Sequence, residues 1–581
     1  MSQFKIEDSF SLSKDITGLN IELASEIPRD ISDNFCISRA KSTLLQSIGF
    51  RGNRNGKVIL KDNWDLEVYN DQYLWVFSKT LDHNPRTLLP YQKDVDKLLD
   101  FFTNPSLVKL ENLPSNEDSV RKLEDPLGGL GYEPICEHQS LIKSSEYIPL
   151  NSERGVMEMT EVYCMALSRD IKISDLNIDS DPSTIFLKPD NSDEDVLSLE
   201  TLLSYMNSTS NKNPNWPLNK EGKTDLSLLF RGHSIGENIG QYVSQFLILD
   251  IPFANGNFEQ LYIPESDSPS LSTKQGYLDV QNGKIGISGP SINKRRIKSL
   301  RDIGSLVHKD PAYGIFFNAA LIASKAGLNA LKTPGKGSNF LDGGGPDYLT
   351  SLAAVTRAAL RTSWVTKWQN ALKIRPENAA ARLSWLTEFP EDKTNELSLW
   401  YNYFNPELLE TICQWNNKFV GTNLPFLPSL YPEGSPTHPS FPAGHACVAG
   451  ACVTIMKAFL KLHNDDLTPV KWTSVFGNIK KVSDTTGELE NTIDSNETIV
   501  GELNKLASNV ALGRDIAGVH YRCDGDCGLK MGERVAISYL KSMTYSYYPE
   551  IIRPNIEFIL QKFDNQIISI QNGIEKIVLA A

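Results

Sequence analysis

The sequence predicts a mainly α-helical protein that carries small β-hairpin appendages. Three segments place apolar residues at steps of three and four, namely Met157–Ile171, Ala312–Leu331 and Tyr348–Ile374, and this is the period of an amphipathic helix. The last segment, Asn555–Gln571, instead alternates apolar and polar residues around Asp564-Asn565, which predicts a terminal β-hairpin. We therefore expect helices to dominate the middle and the end of the chain.

The first 150 residues lack this periodicity. They contain turn-rich connections such as Arg51–Gly56 and strand-like pieces such as Leu66–Ser78, which are typical of irregular structure. We interpret residues 1–150 as an N-terminal irregular layer without chemistry of its own, and residues 151–581 as one helical-bundle catalytic domain.

Four further segments between these helices have distinct patterns. The stretch from Ile235 to Phe246 has helical spacing, and Gln275–Ser288 has the spacing of a hairpin. Asp175–Asp195 and Ser483–Glu497 are acidic and polar, which indicates solvated loops.

Composition excludes several classes of protein. The 581 residues include 71 acidic and 58 basic residues and have a formal net charge of −13, so a general surface for nucleic acid or anionic membranes is not expected. The apolar stretches Phe246–Ala254 and Ile315–Ala323 are shorter than the roughly 18 residues that span a bilayer. No secretory signal is visible in Met1–Asp15, so the cytoplasm is the default expectation and unconventional export stays open.

The eight cysteines are expected to be reduced thiols, although Cys523 and Cys527 could close a small loop.

A first motif places two cations after an apolar stripe. Leu360, Trp364 and Lys367 are spaced i, i+4 and i+7, and Arg375-Pro376 follows eight residues after Lys367. The proline should end the helix near Arg375 and leave its guanidinium close to a loop. Taken alone, this pair is better explained by a snorkelling lysine and a capping arginine.

A second motif is the proline-rich segment Ser435–His445, which precedes the small apolar run Ala446–Leu460. Pro442 suits a first helical turn, and Ala443 and Gly444 would then present backbone N–H groups at a positive helix end, with His445 beside them. An oxyanion cradle and a plain turn into a buried helix are both compatible with this pattern.

A third motif runs from Asn509 to Asp524. Arg514 and His520 flank a predicted helix end at Gly518, and Asp524 follows His520 by four residues, close enough to orient its ring if that stretch is helical. A structural histidine is the alternative. The co-occurrence of all three motifs in this order is what favours a functional site.

Together these segments resemble the three-part signature that vanadium-dependent haloperoxidases share with the type-2 phosphatidic-acid-phosphatase superfamily. The matching residues are Lys367-x7-Arg375-Pro376, Pro442-Ala-Gly-His445 and Gly513-Arg514-x5-His520-x3-Asp524. The seven-residue gap in the first motif and His438 in Pro436–Ala446 are similar to the algal and cyanobacterial bromoperoxidases. In this resemblance, phosphatases and fungal chloroperoxidases generally have a gap of six, and the chloroperoxidases have Phe in place of His438.

The resemblance implies two four-helix bundles with a vanadate site at one end of a bundle. It implies that His520 binds vanadium and that Asp524 orients its ring, while His445 is the acid/base and Lys367 polarises bound peroxide. The residues implied to contact vanadate are Lys367, Arg375, Ala443, Gly444, Arg514, His520 and Asp524, and His438 joins His445 and Lys367 as a catalytic candidate. Hydrogen peroxide, a halide and small organic acceptors are the implied substrates, with bromide and iodide preferred to chloride.

The chain departs from the family pattern at one residue, and two other functions are compatible with the sequence. Ala443 stands where the family usually has Ser, which removes one hydroxyl hydrogen bond to the anion. An acid phosphatase with a phosphohistidine intermediate is the alternative enzyme, and a helical scaffold with a degenerate site is the non-enzymatic one. The resemblance also implies at least a homodimer and is compatible with a structural calcium ion.

Overall fold

The computed structural model describes residues 73–579, apart from 104–109, 132, 134, 137–141, 143–146, 177–180, 182, 184, 188–196, 209–215, 267, 269, 287, 291, 328–338, 393–394, 494–495 and 548–556. The turns expected at Arg51–Gly56, the N-terminal segment Met1–Asp15, most of Leu66–Ser78 and much of Asp175–Asp195 therefore lie outside the described residues. The boundary near residue 150 stays a prediction.

The described residues are mainly α-helical, as predicted. The helices are α1 (Gln92–Thr103), α2 (Glu153–Leu167), α3 (Leu199–Asn207), α4 (Lys274–Gln281), α5 (Leu300–Leu306), α6 (Gly314–Ala323), α7 (Gly345–Val365), α8 (Pro376–Glu388), α9 (Asn395–Asn402), α10 (Pro406–Val420), α11 (Gly444–Phe459), α12 (Thr473–Phe476), α13 (Ile499–Ile516) and α14 (Arg522–Ser546).

The strands are short and antiparallel. They are β1 (Ile185–Leu187), β2 (Leu197–Ser198), β3 (Ile251–Phe253), β4 (Gly256–Phe258), β5 (Lys480–Val482), β6 (Leu489–Asn491), β7 (Glu557–Gln561), β8 (Ile567–Gln571) and β9 (Ile574–Leu579). The first six form three two-stranded sheets, and the last three form one sheet in the order β7-β8-β9. The terminal hairpin is thus confirmed, with Glu557 opposite Gln571, and a third strand extends it.

Two groups of helices form the core. Helices α11 and α14 contact each other, and each also contacts α7 and α13, which makes a four-helix bundle. Helix α2 packs against α3, α8, α10 and α13. Glycines allow the close contact between α11 and α14, because a Cβ added to Gly450 would lie 2.1 Å from the Leu529 carbonyl oxygen and one added to Gly532 would lie 2.0 Å from that of Cys447. The close spacing between α11 and α14 therefore depends on the absence of side chains at Gly450 and Gly532.

Two predicted elements are wrong. The hairpin expected at Gln275–Ser288 contains helix α4, because Thr273 accepts a hydrogen bond from the Gly276 amide at 3.0 Å and thereby caps a helix. The helix expected from Ile235 to Phe246 is a series of turns that ends in a short 3-10 helix. Gly236 and Gly240 have φ values of 82° and 65°, which a right-handed helix does not accommodate.

Two other segments also differ from expectation. The Ser483–Glu497 stretch, expected as a loop, contributes β6 to a hairpin with β5. Helix α7 continues into a π-helix at Thr366–Ala371 and breaks at Leu372, so the predicted continuous helix to Ile374 is shorter than expected. Among the described residues, no helix is both long and apolar enough to cross a membrane.

Candidate active site

The three sequence motifs meet at one end of the four-helix bundle. Lys367 lies in the π-helical turn after α7, and Arg375 occupies the N-cap of α8, near a loop as predicted. His445 is in the first turn of α11. Arg514 lies in the last turn of α13, and His520 lies in the connection to α14, after Gly518 with a φ of 82°. The end of α13 before Gly518 is as predicted.

His520 is held between a guanidinium and a carboxylate. Arg375 Nη1 lies 2.9 Å from His520 Nε2, and Asp524 Oδ2 lies 3.0 Å from His520 Nδ1. A guanidinium only donates hydrogen bonds, so Nε2 is the acceptor and the proton resides on Nδ1. Burial and the positive charges of Arg375 and Lys367 hold the pKa of His520 well below its ordinary value. The ring is therefore neutral, and its Nε2 lone pair faces the cations.

Asp524 contacts His520 as predicted, but the backbone between them is not the helix on which the prediction depended. His520 and Tyr521 precede the helix, because α14 begins only at Arg522. Asp524 is the third residue of α14, where its Oδ2 also accepts a hydrogen bond from the Tyr521 amide at 3.3 Å. The orienting contact thus comes from a capping arrangement at the helix start.

Backbone carbonyl groups hold the two cations of the first motif. Lys367 Nζ donates to the carbonyl oxygens of Pro439 and Ser440, each at 2.8 Å. Arg375 donates to the carbonyl oxygens of Val519 at 2.8 Å and His438 at 2.7 Å. Both side chains are fully buried.

These cations repel one another inside the protein. Burial and Arg375 hold the pKa of Lys367 well below its ordinary value, and burial and Arg514 lower the pKa of Arg375 to about 9. In the described part of the chain, buried Arg514 Nε has no hydrogen-bond partner. A bound oxyanion would relieve this repulsion and accept hydrogen bonds from such donors. The residues present therefore fit vanadate.

His445 faces the opening of the site. Its side chain is 31% exposed, and its Nε2 lies 2.9 Å from Oδ1 of buried Asp310. Burial and Arg514 lower the pKa of His445, whereas Asp310 opposes that shift. Sequence analysis missed Asp310, because it lies in the connection before α6 and has no spacing relationship to His445.

His438 also lies within the cluster. Its Nδ1 is 3.0 Å from Arg375 Nη2, and its ring lies 4.8 Å from the Trp364 ring, centroid to centroid. Burial, Lys367 and Arg375 hold the pKa of His438 well below its ordinary value. Glu124 Oε2 lies 3.5 Å from His438 Nε2. The N-terminal layer therefore borders the site, although we expected no chemistry from it.

The start of α11 differs from the predicted cradle in one respect. The Ala443 amide donates to the Asp524 carbonyl oxygen at 2.9 Å, so the expectation that it is presented to an anion is wrong. The reason is that Ala443 is the N-cap and Pro442 precedes the helix, which begins at Gly444. The Gly444 amide belongs to the first turn, whose N–H groups lack partners within the helix.

The remaining expectations concern cysteines and metal clusters. Cys523 and Cys527 are both buried and are not joined to each other, so they do not form the small disulfide loop. Within the described ranges, no group of three or more His, Cys, Asp or Glu side chains is arranged to hold a metal ion. A calcium site thus has no support there, whereas vanadate requires only one protein ligand in the predicted arrangement.

Comparison with known proteins finds relatives along most of the chain. Residues 415–547 match the family model described as the VCPO second helical-bundle domain. The chain is 26% identical to a vanadium-dependent bromoperoxidase of Corallina pilulifera, with 89% of this chain and 94% of the relative covered. It is 28% identical to one of Ascophyllum nodosum, with 82% and 83% covered.

A solved structure has the same fold. It is the homohexameric second vanadate-dependent bromoperoxidase from Ascophyllum nodosum, with a TM-score of 0.73, 23% identity, and coverage of 98% of this chain and 94% of that chain. The chain is thus similar along most of its length to vanadium-dependent bromoperoxidases, and it has the fold of one of them.

Proposed function

We propose that the protein is a vanadate-dependent haloperoxidase that uses hydrogen peroxide to oxidise bromide or iodide to hypohalous acid, which then halogenates small organic acceptors. The observation that carries this proposal is the convergence of buried Lys367, Arg375 and Arg514 on the neutral ring of His520. The named relatives are bromoperoxidases, so the phosphatase alternative is not favoured.

In this proposal, each residue has a distinct task. Lys367, Arg375, Arg514 and the Gly444 amide would hold the oxygens of bound vanadate through charge-assisted hydrogen bonds. His520 Nε2 is the vanadium ligand, and Asp524 holds the proton on Nδ1. When bound, vanadate supplies the activation of hydrogen peroxide toward two-electron oxidation of a halide.

His445 is the acid/base of the reaction. It is neutral because its pKa is lowered, and its Nε2 donates a hydrogen bond to the Asp310 carboxylate. Its Nδ1 can therefore accept a proton from incoming peroxide and return it later. Its partial exposure allows it to meet substrates at the opening, while Asp310 fixes the orientation of the ring. Lys367 and His438 donate hydrogen bonds near the reacting oxygen.

The proposed activity is tested on apoprotein reconstituted with orthovanadate. Hydrogen peroxide and bromide are added with a phenol-based halogenation reporter, and a chromogenic phosphomonoester is assayed without vanadate. We expect vanadate-dependent halogenation. Phosphatase turnover with no halogenation would contradict the proposal and support the alternative enzyme.

Halide preference follows from the same assay. We expect bromide and iodide to be oxidised and chloride to be oxidised poorly, because the polar ring of His438 stands where a chloroperoxidase has an apolar one and chloride is the hardest of the three to oxidise. Steady-state rates are measured for each halide at one pH. Chloride turnover equal to that of bromide would refute this preference.

We also propose that the protein is a homo-oligomer. The Ascophyllum structure is a homohexamer, and strand β9 of this chain is exposed along its whole length and carries exposed Ile574, Ile577, Val578 and Leu579. Apolar side chains on an edge strand favour association. Light scattering should give a mass at least twice 64.8 kDa, and a monomer at micromolar concentration would contradict the proposal.

A further inference from the structure

A third buried cation, Lys373, lies in the sequence between the two cations of the first motif, Lys367 and Arg375. Lys373 Nζ is 3.0 Å from Asp524 Oδ1, and the other oxygen of that carboxylate is 3.0 Å from His520 Nδ1. Lys373 and Asp524 are fully buried, and His520 is 1% exposed. A continuous chain of polar contacts therefore runs from Lys373 through Asp524 to His520.

The backbone around Lys373 fixes its place. The Leu372 amide donates to the Lys367 carbonyl oxygen at 2.9 Å, which is an i to i−5 bond of the π-helix, and Leu372 has a φ of 45°. The Ser440 amide then donates to the Lys373 carbonyl oxygen at 3.0 Å. A π-helical turn accommodates one extra residue in a helix. Here it turns Lys373 inward between Lys367 and Arg375.

Aromatic rings enclose the ammonium group. Lys373 Nζ lies 4.4 Å from the ring centroid of Tyr521, 5.2 Å from that of Tyr147 and 5.8 Å from that of Phe441. Cys523 Sγ lies 3.1 Å from the same nitrogen. These rings attract a cation and exclude water, so the positive charge has little freedom to move away from Asp524.

We propose that Lys373 is a positioning residue for the reaction: it fixes the Asp524 carboxylate, which in turn holds the proton on His520 Nδ1 and leaves the Nε2 lone pair facing the anion site. Without this cation, Asp524 can rotate or hydrogen-bond elsewhere, which leaves the Arg375 contact with Nε2 alone to favour the Nδ1–H tautomer. The imidazole can then also adopt the other tautomer, which cannot bind a metal through Nε2. This inference rests on the proposed role of His520 as the vanadium ligand.

The test compares Lys373→Met, Asp524→Asn and the double variant with the parent. In apoprotein labelled with ¹⁵N-histidine, the nitrogen shifts of His520, assigned with His520→Gln, report its tautomer. Vanadate titration of the same proteins by calorimetry gives the dissociation constant. We expect Lys373→Met to populate the Nε2–H form and to weaken vanadate binding at least tenfold.

The double variant distinguishes positioning from simple attraction of the anion by a lysine. If Lys373 acts through Asp524, adding Lys373→Met to Asp524→Asn should change the constant less than twofold. If Lys373→Met changed the vanadate dissociation constant equally in the parent protein and in Asp524→Asn, the proposal would be overturned. So would an unchanged tautomer in Lys373→Met with binding within twofold of the parent.

Lys505→Met is the matched control, because Lys505 is also buried and pairs with a carboxylate, that of Glu502 at 2.6 Å. It should lower the melting temperature without changing the His520 tautomer, and a tautomer change of the same size in this control would overturn the proposal. Lys373→Gln serves if Lys373→Met does not fold. If the proposed function itself were wrong, the results would be different. His520→Gln would then leave vanadate binding unchanged, while Lys373→Met would still change the tautomer of His520.

Discussion

The imidazole of His445 lies between two opposite influences. Burial and the positive charge of Arg514 lower the pKa of His445. Asp310 raises this pKa through its charge and through the hydrogen bond at 2.9 Å. Asp310→Asn removes the group that raises the pKa, so the pKa of His445 should fall further. Because a general base must be neutral, its activity is lost as the pH falls through its pKa.

We therefore expect Asp310→Asn to move the acidic limb of the pH profile of kcat/KM for peroxide to lower pH by about one unit. The maximal rate should also fall, because the ring loses an orienting partner. Asp279→Asn is the control, because Asp279 is a partly exposed carboxylate on α4 that pairs with Lys284. An acidic limb that stays in place or moves to higher pH would show that Asp310 does not act on the titration of His445.

Position 443 offers a second test at the residue scale. Ala443 is buried and is the N-cap of α11 without a side-chain hydrogen bond. Ala443→Ser adds a hydroxyl that can donate to an oxyanion, and a hydrogen bond to a charged group contributes about 1.5–3 kcal/mol. We expect the vanadate dissociation constant of apoprotein to fall by roughly ten- to a hundredfold.

The same hydroxyl can cap α11, which by itself contributes about 0.5–2 kcal/mol to stability. Thermal unfolding of the Ala443→Ser apoprotein without vanadate measures that part alone. A higher melting temperature with an unchanged vanadate constant would mean that the side chain at position 443 does not face the anion.

At the scale of elements, the contact between α11 and α14 depends on small residues. Gly532 and Gly525 are both buried residues of α14, but a Cβ at Gly532 would lie 2.0 Å from the Cys447 carbonyl oxygen, whereas one at Gly525 would meet only Ala511 Cβ at 3.4 Å. Gly532→Ala should therefore force the two helices apart.

We expect Gly532→Ala to lower the free energy of unfolding by about 1–3 kcal/mol, as overpacking does. Gly525→Ala should leave it unchanged or raise it by up to about 1 kcal/mol, because alanine favours a helix over glycine. Denaturant unfolding of both apoproteins provides the comparison. Equal stabilities would argue against the close approach of α11 and α14.

The sequence predicted elements where local patterns are strong. The helices around Met157 and Tyr348 have apolar periodicity over many residues, and the terminal hairpin has a clear turn at Asp564-Asn565. The hairpin expected at Gln275–Ser288 failed because the Thr273 cap and the burial of one helix face outweighed a short alternating pattern. The π-helix before Leu372 has no periodic signature at all.

At the scale of the whole molecule, the site is assembled from distant segments. Glu124 contacts His438, Asp310 contacts His445, and Lys79 of the N-terminal layer forms a buried ion pair at 2.9 Å with Glu377 of α8. Motif spacing predicted the residues that converge from Lys367 to Asp524. It could not predict these partners, because contacts between distant segments follow from packing and leave no spacing in the chain.

Vanadate titration of apoprotein and of His520→Ala tests whether His520 is the residue that binds vanadium. His520 is the residue around which the cations, Asp524 and the start of α14 are arranged. Because it is the proposed single protein bond to vanadium, cations alone should not replace it. We expect saturable binding to the parent protein and none, or binding weakened at least a hundredfold, to His520→Ala with an unchanged fold by circular dichroism. Equal affinity in the two proteins would contradict the account.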